Sequence, residues 1–384
     1  MSVTAAAIPS SLRRERPWLW TRNWDLTWIT FSVVLVAAPY TVYLLLLSMQ
    51  TMLQPLAVSL GTTVDDMSRN VVNASVALLI GGPHMYSTFT RTALDHDFAK
   101  THRKLLVSSL AIPVIVASLA LLNLPLLLTI FFFWASIHVL HQIIYITSLY
   151  NQRQSQRLAV ISRLADYAVI LTALYPLAAW KIANNKFTVG VNNLSEVVND
   201  VLGHVGLSVG PWMVWLAGGA FAISLTVWIA KSVVEYREGV LHKPKTVFIA
   251  LTVTASFFVP ALGNLDTAFQ GMNVWHSFQY LALTWMLNHL RQQEGQLKNS
   301  PFVDRLSEDG SARRYYLFNI GLTLADVLLA GVIFVVLYRV AGFNFDDAFD
   351  RAYYIAVLSF LWMHYYHDHF LFTQPQVIEG KAIR

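Results

Sequence analysis

The chain has 384 residues, of which 55% are hydrophobic and only 13% charged, and it contains no cysteine. A soluble domain carries about twice that charged fraction. The missing thiols exclude disulfides, thiolate zinc sites, iron–sulfur clusters and covalently attached c-type haem. The formal net charge of +5 is not a nucleic-acid signature, because the cations are distributed as orientation in a membrane would place them.

Apolar runs of about 18 residues or more span a bilayer as helix, and several occur here, with a mean hydropathy of +0.49. Barrel strands would alternate rather than run continuously apolar. The expected fold is therefore all-α, a polytopic integral membrane bundle. Its ten transmembrane helices are expected at 25–48, 70–91, 104–122, 124–149, 164–181, 211–234, 246–263, 271–291, 315–339 and 352–372. The first run is too long for a signal peptide and has no small-residue cleavage site, so it reads as a retained helix. The break at Asn123 and Leu124, with Pro125 following, predicts an antiparallel hairpin. The long polar gap "NNKFTVGVNNLSEVVNDVLGHVGLSVG" predicts a surface amphipathic helix around Leu194–Leu202. No internal repeat is evident. The domain plan is an N-terminal segment 1–24, one transmembrane domain 25–372 and a tail 373–384.

With the N-terminus inside, 22 of the 27 basic residues fall on one side. They are Arg13, Arg14, Arg16 and Arg22; Arg91, Lys100, Arg103 and Lys104; Arg153, Arg157 and Arg163; Lys231, Arg237, Lys243 and Lys245; Arg291, Lys298, Arg305, Arg313 and Arg314; Lys381 and Arg384. Arg69, Lys181, Lys186, Arg339 and Arg351 remain outside. This bias predicts both termini in the cytoplasm, the setting being a bacterial inner membrane.

Four of the even-numbered spans carry intramembrane histidines. Counted from the arginines taken as the inner edge, His84 lies about 10 Å deep, His138 and His141 about 18–22 Å, and His276 about 22 Å. His364 and His367 lie about 8–13 Å from the inner end of the last span. The pairs His138/His141 and His364/His367 are three residues apart and share a helix face. Asp368 adjoins the His364 face, while His369 points away. Gln279 and Tyr280 share the face of His276. His289 lies about 20 Å further along that helix, so the two cannot serve one compact site. Asp326 enters from the ninth span.

Each residue also has a plainer explanation. A lone histidine or Asp326 can hydrogen-bond a neighbouring helix, His96 and His102 read as a solvated face, and His204 and His242 are isolated. Ionisable groups are costly in hydrocarbon, however, and six histidines on four helices point to a common purpose. The expected metal ligands are His84, His138, His141, His276, His364 and His367. Asp326, Asp368, Gln279 and His289 are further ligands or outer-sphere partners. Neutral imidazoles without thiolates suit iron, copper, zinc or nickel. No individual catalytic residue emerges.

"HVLHQ" (His138–Gln142) and "HYYHDH" (His364–His369) resemble, in degenerate form, the HxxHH boxes of membrane fatty-acid desaturases and hydroxylases. Gln142 stands where the last histidine of the box belongs, and Asp368 interrupts the final pair. The resemblance implies one or two non-haem irons, dioxygen, a lipophilic substrate and an external ferredoxin- or cytochrome-like electron donor. No Rossmann or flavin motif supplies electrons from within. The basic segments 91–104 and 291–314 are the expected docking place of the donor. Three other readings remain open: a haem b-binding electron carrier with two axial histidines, a metal or solute transporter, and a structural subunit of a larger complex. For the transporter, Gly81-Gly82-Pro83 would be the helix break.

Overall fold

The computed structural model describes residues 17–152, 160–189, 192–263 and 265–373, and these are all but entirely helical. Arg13, Arg14, Arg16, Arg153, Arg157, Lys381, Arg384, most of the N-terminal segment and all but the first residue of the C-terminal tail lie outside the described residues.

Seven helices are long and apolar enough to cross a membrane. We label them α1 (Arg22–Ser48), α3 (Arg103–Leu122), α4 (Leu124–Gln152), α5 (Val160–Ala183), α6 (Pro211–Arg237), α7 (Lys243–Ala261) and α9 (Ala312–Arg339). Three more helical stretches are as long but too polar to join them: α2 (64–90), α8 (Leu265–Gln293) and α10 (Phe345–Thr373). Asn123 separates α3 from α4 as expected, and its side chain accepts from Leu126 N at 3.1 Å. The surface helix is present at Leu194–Gly203, preceded by a two-residue ribbon pairing Thr188 with Asn193.

α2 and α10 begin six or seven residues before the apolar pattern does. Their first turns are polar. Thr63 caps the Asp66 N–H, and Asn344 caps the Asp347 N–H. Asp65, Asp66, Asp346 and Asp347 sit in the first turns, where a carboxylate faces the positive end of the helix dipole. Hydropathy discards such turns, although the backbone keeps them.

Two departures from regular helix shape the interior. In α1, residues Asp25–Thr30 form a widened turn and Phe31–Ala37 a tightened one. A widened turn leaves backbone carbonyls without their usual partner, and in a bilayer another part of the protein must supply one. Gln279 does so, its Nε2 donating to the Ile29 carbonyl at 2.7 Å. Close contact between α1 and α8 also requires Gly271, since a Cβ there would collide with the Val36 carbonyl. In α2, Ala77–Gly81 is likewise widened, but Gly81-Gly82-Pro83 does not break the helix. Gly82 instead lets α2 lie against Thr323 of α9, the small-residue contact common between membrane helices.

The largest core cluster gathers α1, α4, α7 and α8 around Trp275, Ile143 and Tyr280. A second joins α3, α4 and α10 around Leu127, Trp362 and Tyr365. Three cations assigned to inner loops are in fact inside the protein. Lys231 and Lys245 pair with Asp166 at 2.8 and 2.9 Å, and Arg91 is only 4% exposed.

Candidate metal centre

α2, α4, α8 and α10 each send one imidazole to a common point. Ring centroids of His84 and His276 lie 5.1 Å apart, His276 and His138 4.9 Å, His138 and His364 4.8 Å, and His364 and His84 4.7 Å. The four rings close a quadrilateral whose His276–His364 diagonal is 6.5 Å. All four residues are buried.

Two sets of donors stand out within it: His84, His276 and His364, and His138, His364 and Asp368. In each, one donor atom per residue lies within 4.8 Å of the others. Ions of this kind bind nitrogen at about 2.0–2.1 Å, so donors on opposite sides of one ion stand about 4 Å apart. Small side-chain rotations would close either set on a cation. His364 belongs to both.

The hydrogen bonds show which atoms are spoken for. His84 Nδ1 meets the Gly81 carbonyl, which fixes the proton on Nδ1 and leaves Nε2 a bare lone pair. His364 Nδ1 lies 2.5 Å from Thr88 Oγ1, and Thr88 donates to Asp368 Oδ1 at 3.1 Å. In that chain His364 Nδ1–H donates to Thr88, so Nε2 is again free. Tyr280 donates to the same Asp368 oxygen at 2.5 Å and sits 2.7 Å from Thr88. The Nε2 atoms of His84, His138, His276 and His364, together with Asp368 Oδ2, are buried and make no hydrogen bond. Each such orphan costs about 1–3 kcal/mol. Such orphans, gathered in two donor sets that share His364, are what one or two cations would satisfy, and the donor set of nitrogen and carboxylate oxygen fits a borderline first-row ion.

The other expected residues lie elsewhere. His141 turns to the rim, its ring 5.2 Å from exposed His369 and 5.3 Å from Phe372. His367 is buried beside Thr92 (3.4 Å to Nδ1) and Phe89, outside both donor sets. An i, i+3 offset still turns the second ring about 60° around the axis, enough in a crowded core to send it to a different neighbour. Gln279 serves α1 and Gln142 (3.4 Å). His289 stacks on Trp285 and donates Nδ1–H to the Ser307 carbonyl at 2.8 Å. Asp326 holds the Tyr86 hydroxyl on the far side of α2.

Thr88 went unnoticed in the sequence. Its signal is its position four residues after His84, on the same helical face. The differing depths assigned to His84 and His276 disappear as well. Arg91, from which the depth of His84 was counted, is itself buried.

Compared with protein-family models, with curated proteins and with solved structures, the chain matches none. The resemblance to the His-box enzymes therefore rests on its two boxes, and each box contributes one imidazole to the cluster, His138 and His364.

Proposed function

We propose that this protein is a membrane-embedded oxidoreductase. In this reading it holds one or two non-haem irons on His84, His138, His276, His364 and Asp368 and oxidises a lipophilic substrate with dioxygen. The observation that carries the reading is the convergence of five unpartnered buried donor atoms from four helices. Bound iron would supply dioxygen activation. The chain's own part is to present neutral imidazoles, to lock two tautomers through Gly81 and Thr88, and to keep bulk water out with a buried aromatic shell that includes Tyr365 against His138 (4.2 Å) and Phe372 (6.0 Å).

A haem would need a slab of space between two axial imidazoles. His84 and His138 each lie within 5.1 Å of both His276 and His364, which favours a bare ion over a macrocycle. The same reading takes α2, α8 and α10 as spanning helices, ten spans in all, with both termini cytoplasmic in a bacterial inner membrane. Their polarity then comes from the ligands they carry inward. The electron donor would dock where segments 91–104 and 291–314 join. Arg291 meets Asp95 at 2.6 Å there, and His96 N meets Ser300 Oγ at 2.9 Å. Lys100, Arg103, Lys104, Lys298 and Arg305 are exposed around that junction.

Elemental analysis with an optical spectrum tests the proposal. Detergent-purified protein should contain roughly one or two irons per chain and show no Soret band, given an all-nitrogen-and-oxygen donor set. A Soret band, or no metal above background after growth in iron-replete medium, would overturn it.

A further inference from the structure

An ion bound by the cluster must first reach it. His84, His138, His276 and His364 are each at most 3% exposed, and a divalent ion sheds its water inside an apolar bundle only where other ligands replace that water. One pair of imidazoles leads outward. His138 meets His364 in the cluster, and further along the same two helices His141 meets His369, the ring centres being 4.8 and 5.2 Å apart. α4 and α10 therefore run in the same direction, with the second pair displaced from the first by about 4.5 Å along α4 and about 7.5 Å along α10. Neither His141 nor His369 belongs to either donor set.

The imidazoles are graded in exposure. His369 is exposed, His141 half-buried and His138 buried. His369 lies about 6 Å along the axis from Thr373, where α10 ends. The next residue, Phe370, packs on Phe98 and His102 of the basic segment 91–104, at 6.0 and 4.8 Å. Two imidazoles on one tetrahedral ion, with nitrogens at about 2.0–2.1 Å from it, hold their ring centres roughly 5 Å apart. Packed aromatic rings reach similar distances, but among the described residues no hydrogen bond engages a ring nitrogen of His141 or His369. Each keeps a lone pair for a ligand. Phe372 fills the step inward, its ring 5.3 Å from His141 and 6.0 Å from His138.

We propose that His369 and His141 form a loading site, which takes a divalent first-row cation from water and passes it to His138 of the buried cluster. The ion exchanges water for imidazole one ligand at a time, and no covalent bond of the chain is made or broken. The two residues hold the ion in transit and are not its resident ligands. The inference rests on the metal-centre reading, but the rim pair binds an ion whether or not the centre retains one.

The test uses full-length protein in neutral detergent, freed of metal by a chelator, with Co(II) as the probe because its visible absorption reports nitrogen ligation. Wild type should take cobalt into the cluster. His369→Gln and His141→Gln should each slow that uptake about tenfold or more, since losing a ligand on the path raises the barrier to entry. Final cobalt content should equal that of wild type. His364→Ala, which disables the centre, should still bind cobalt weakly, and adding His369→Gln should abolish that binding. Uptake at the wild-type rate in both single variants would overturn the proposal. So would a lower final content in either, which would make these histidines resident ligands. Wild type that lacks tightly held cobalt but keeps the weak, His369-dependent binding would refute the metal centre alone.

Discussion

Two buried polar clusters lie in the same apolar bundle, and they solve the burial problem differently. Between α5, α6 and α7, Asp166 takes Lys231 and Lys245 at 2.8 and 2.9 Å, and Lys231 also takes Glu235 at 3.1 Å. Ser162 and Trp228 donate to the two carboxylates at 2.5 and 3.1 Å, and Asn151 receives Lys245 at 2.8 Å. Two cations meet two anions, so the network closes on itself. Between α2, α4, α8 and α10 the donors are imidazole nitrogens and one carboxylate oxygen. Asp368 Oδ2 comes no nearer than 4.0 Å to His138 Nε2 and 3.6 Å to His364 Nδ1, and the four Nε2 atoms and Asp368 Oδ2 make no hydrogen bond. Buried polar groups are normally paired. A cluster that closes internally is a helix clamp, whereas one that leaves five donors open is built for something outside the chain.

That contrast can be attacked from either side. The largest expected effect is Asp166→Asn, which strips Lys245 of its anion. Breaking a buried pair costs about 3–5 kcal/mol, so denaturant or thermal unfolding in detergent should show a large loss of stability, with the metal content of the folded fraction unchanged. His364→Ala should do the reverse. It removes the imidazole shared by both donor sets, and iron retention against a competing chelator should fall on the order of 100-fold or more, beyond the 10–100-fold of an outer-sphere loss, with little change in unfolding. If His364→Ala retained its metal, the cluster would be a packing feature.

Thr88→Val comes next. It keeps the shape of the side chain but removes the group that orients His364, Tyr280 and Asp368, so metal affinity should drop about 10–100-fold. Thr88→Ser should restore most of it, which a merely structural role would not require. Gly82→Ala drives a methyl into Thr323 and should cost about 1–3 kcal/mol by overpacking. Adding Thr323→Ala should recover part of that in a double-mutant cycle. Ile223→Val, on the lipid-facing side of α6 where Ile223 is 69% exposed, should stay within about 0.5 kcal/mol and leave the metal untouched.

How much of this was legible beforehand differs by helix. α6 and α9 were plain in the sequence because they face lipid: only 6% and 17% of their most apolar windows are buried within the protein. α2, α8 and α10 carry three of the four clustered imidazoles and are the long helices whose hydropathy falls short. Their apolar centres were visible, while their polar first turns at Asp65–Asp66 and Asp346–Asp347 were not. The candidate site followed the same division. Burial cost alone marked His84, His138, His276 and His364 as worth explaining, and the i+4 spacing marked Asp368.

Composition and periodicity alone determined that the chain is an all-helical membrane protein without thiol chemistry, and that imidazoles belong to its interior. Hydrophobic length and the cost of burying an ionisable group are local properties, readable one segment at a time. Which imidazoles meet was decided by tertiary structure: His138 but not His141, His364 but not His367. Within each pair the two rings differ by about 60° around the helix axis, and how α4 and α10 are turned toward their neighbours settles which of the two faces the cluster. Arg91, Lys231 and Lys245 make the same point for charge, since a cation counted for a loop can be held inside once a neighbouring helix offers it a partner.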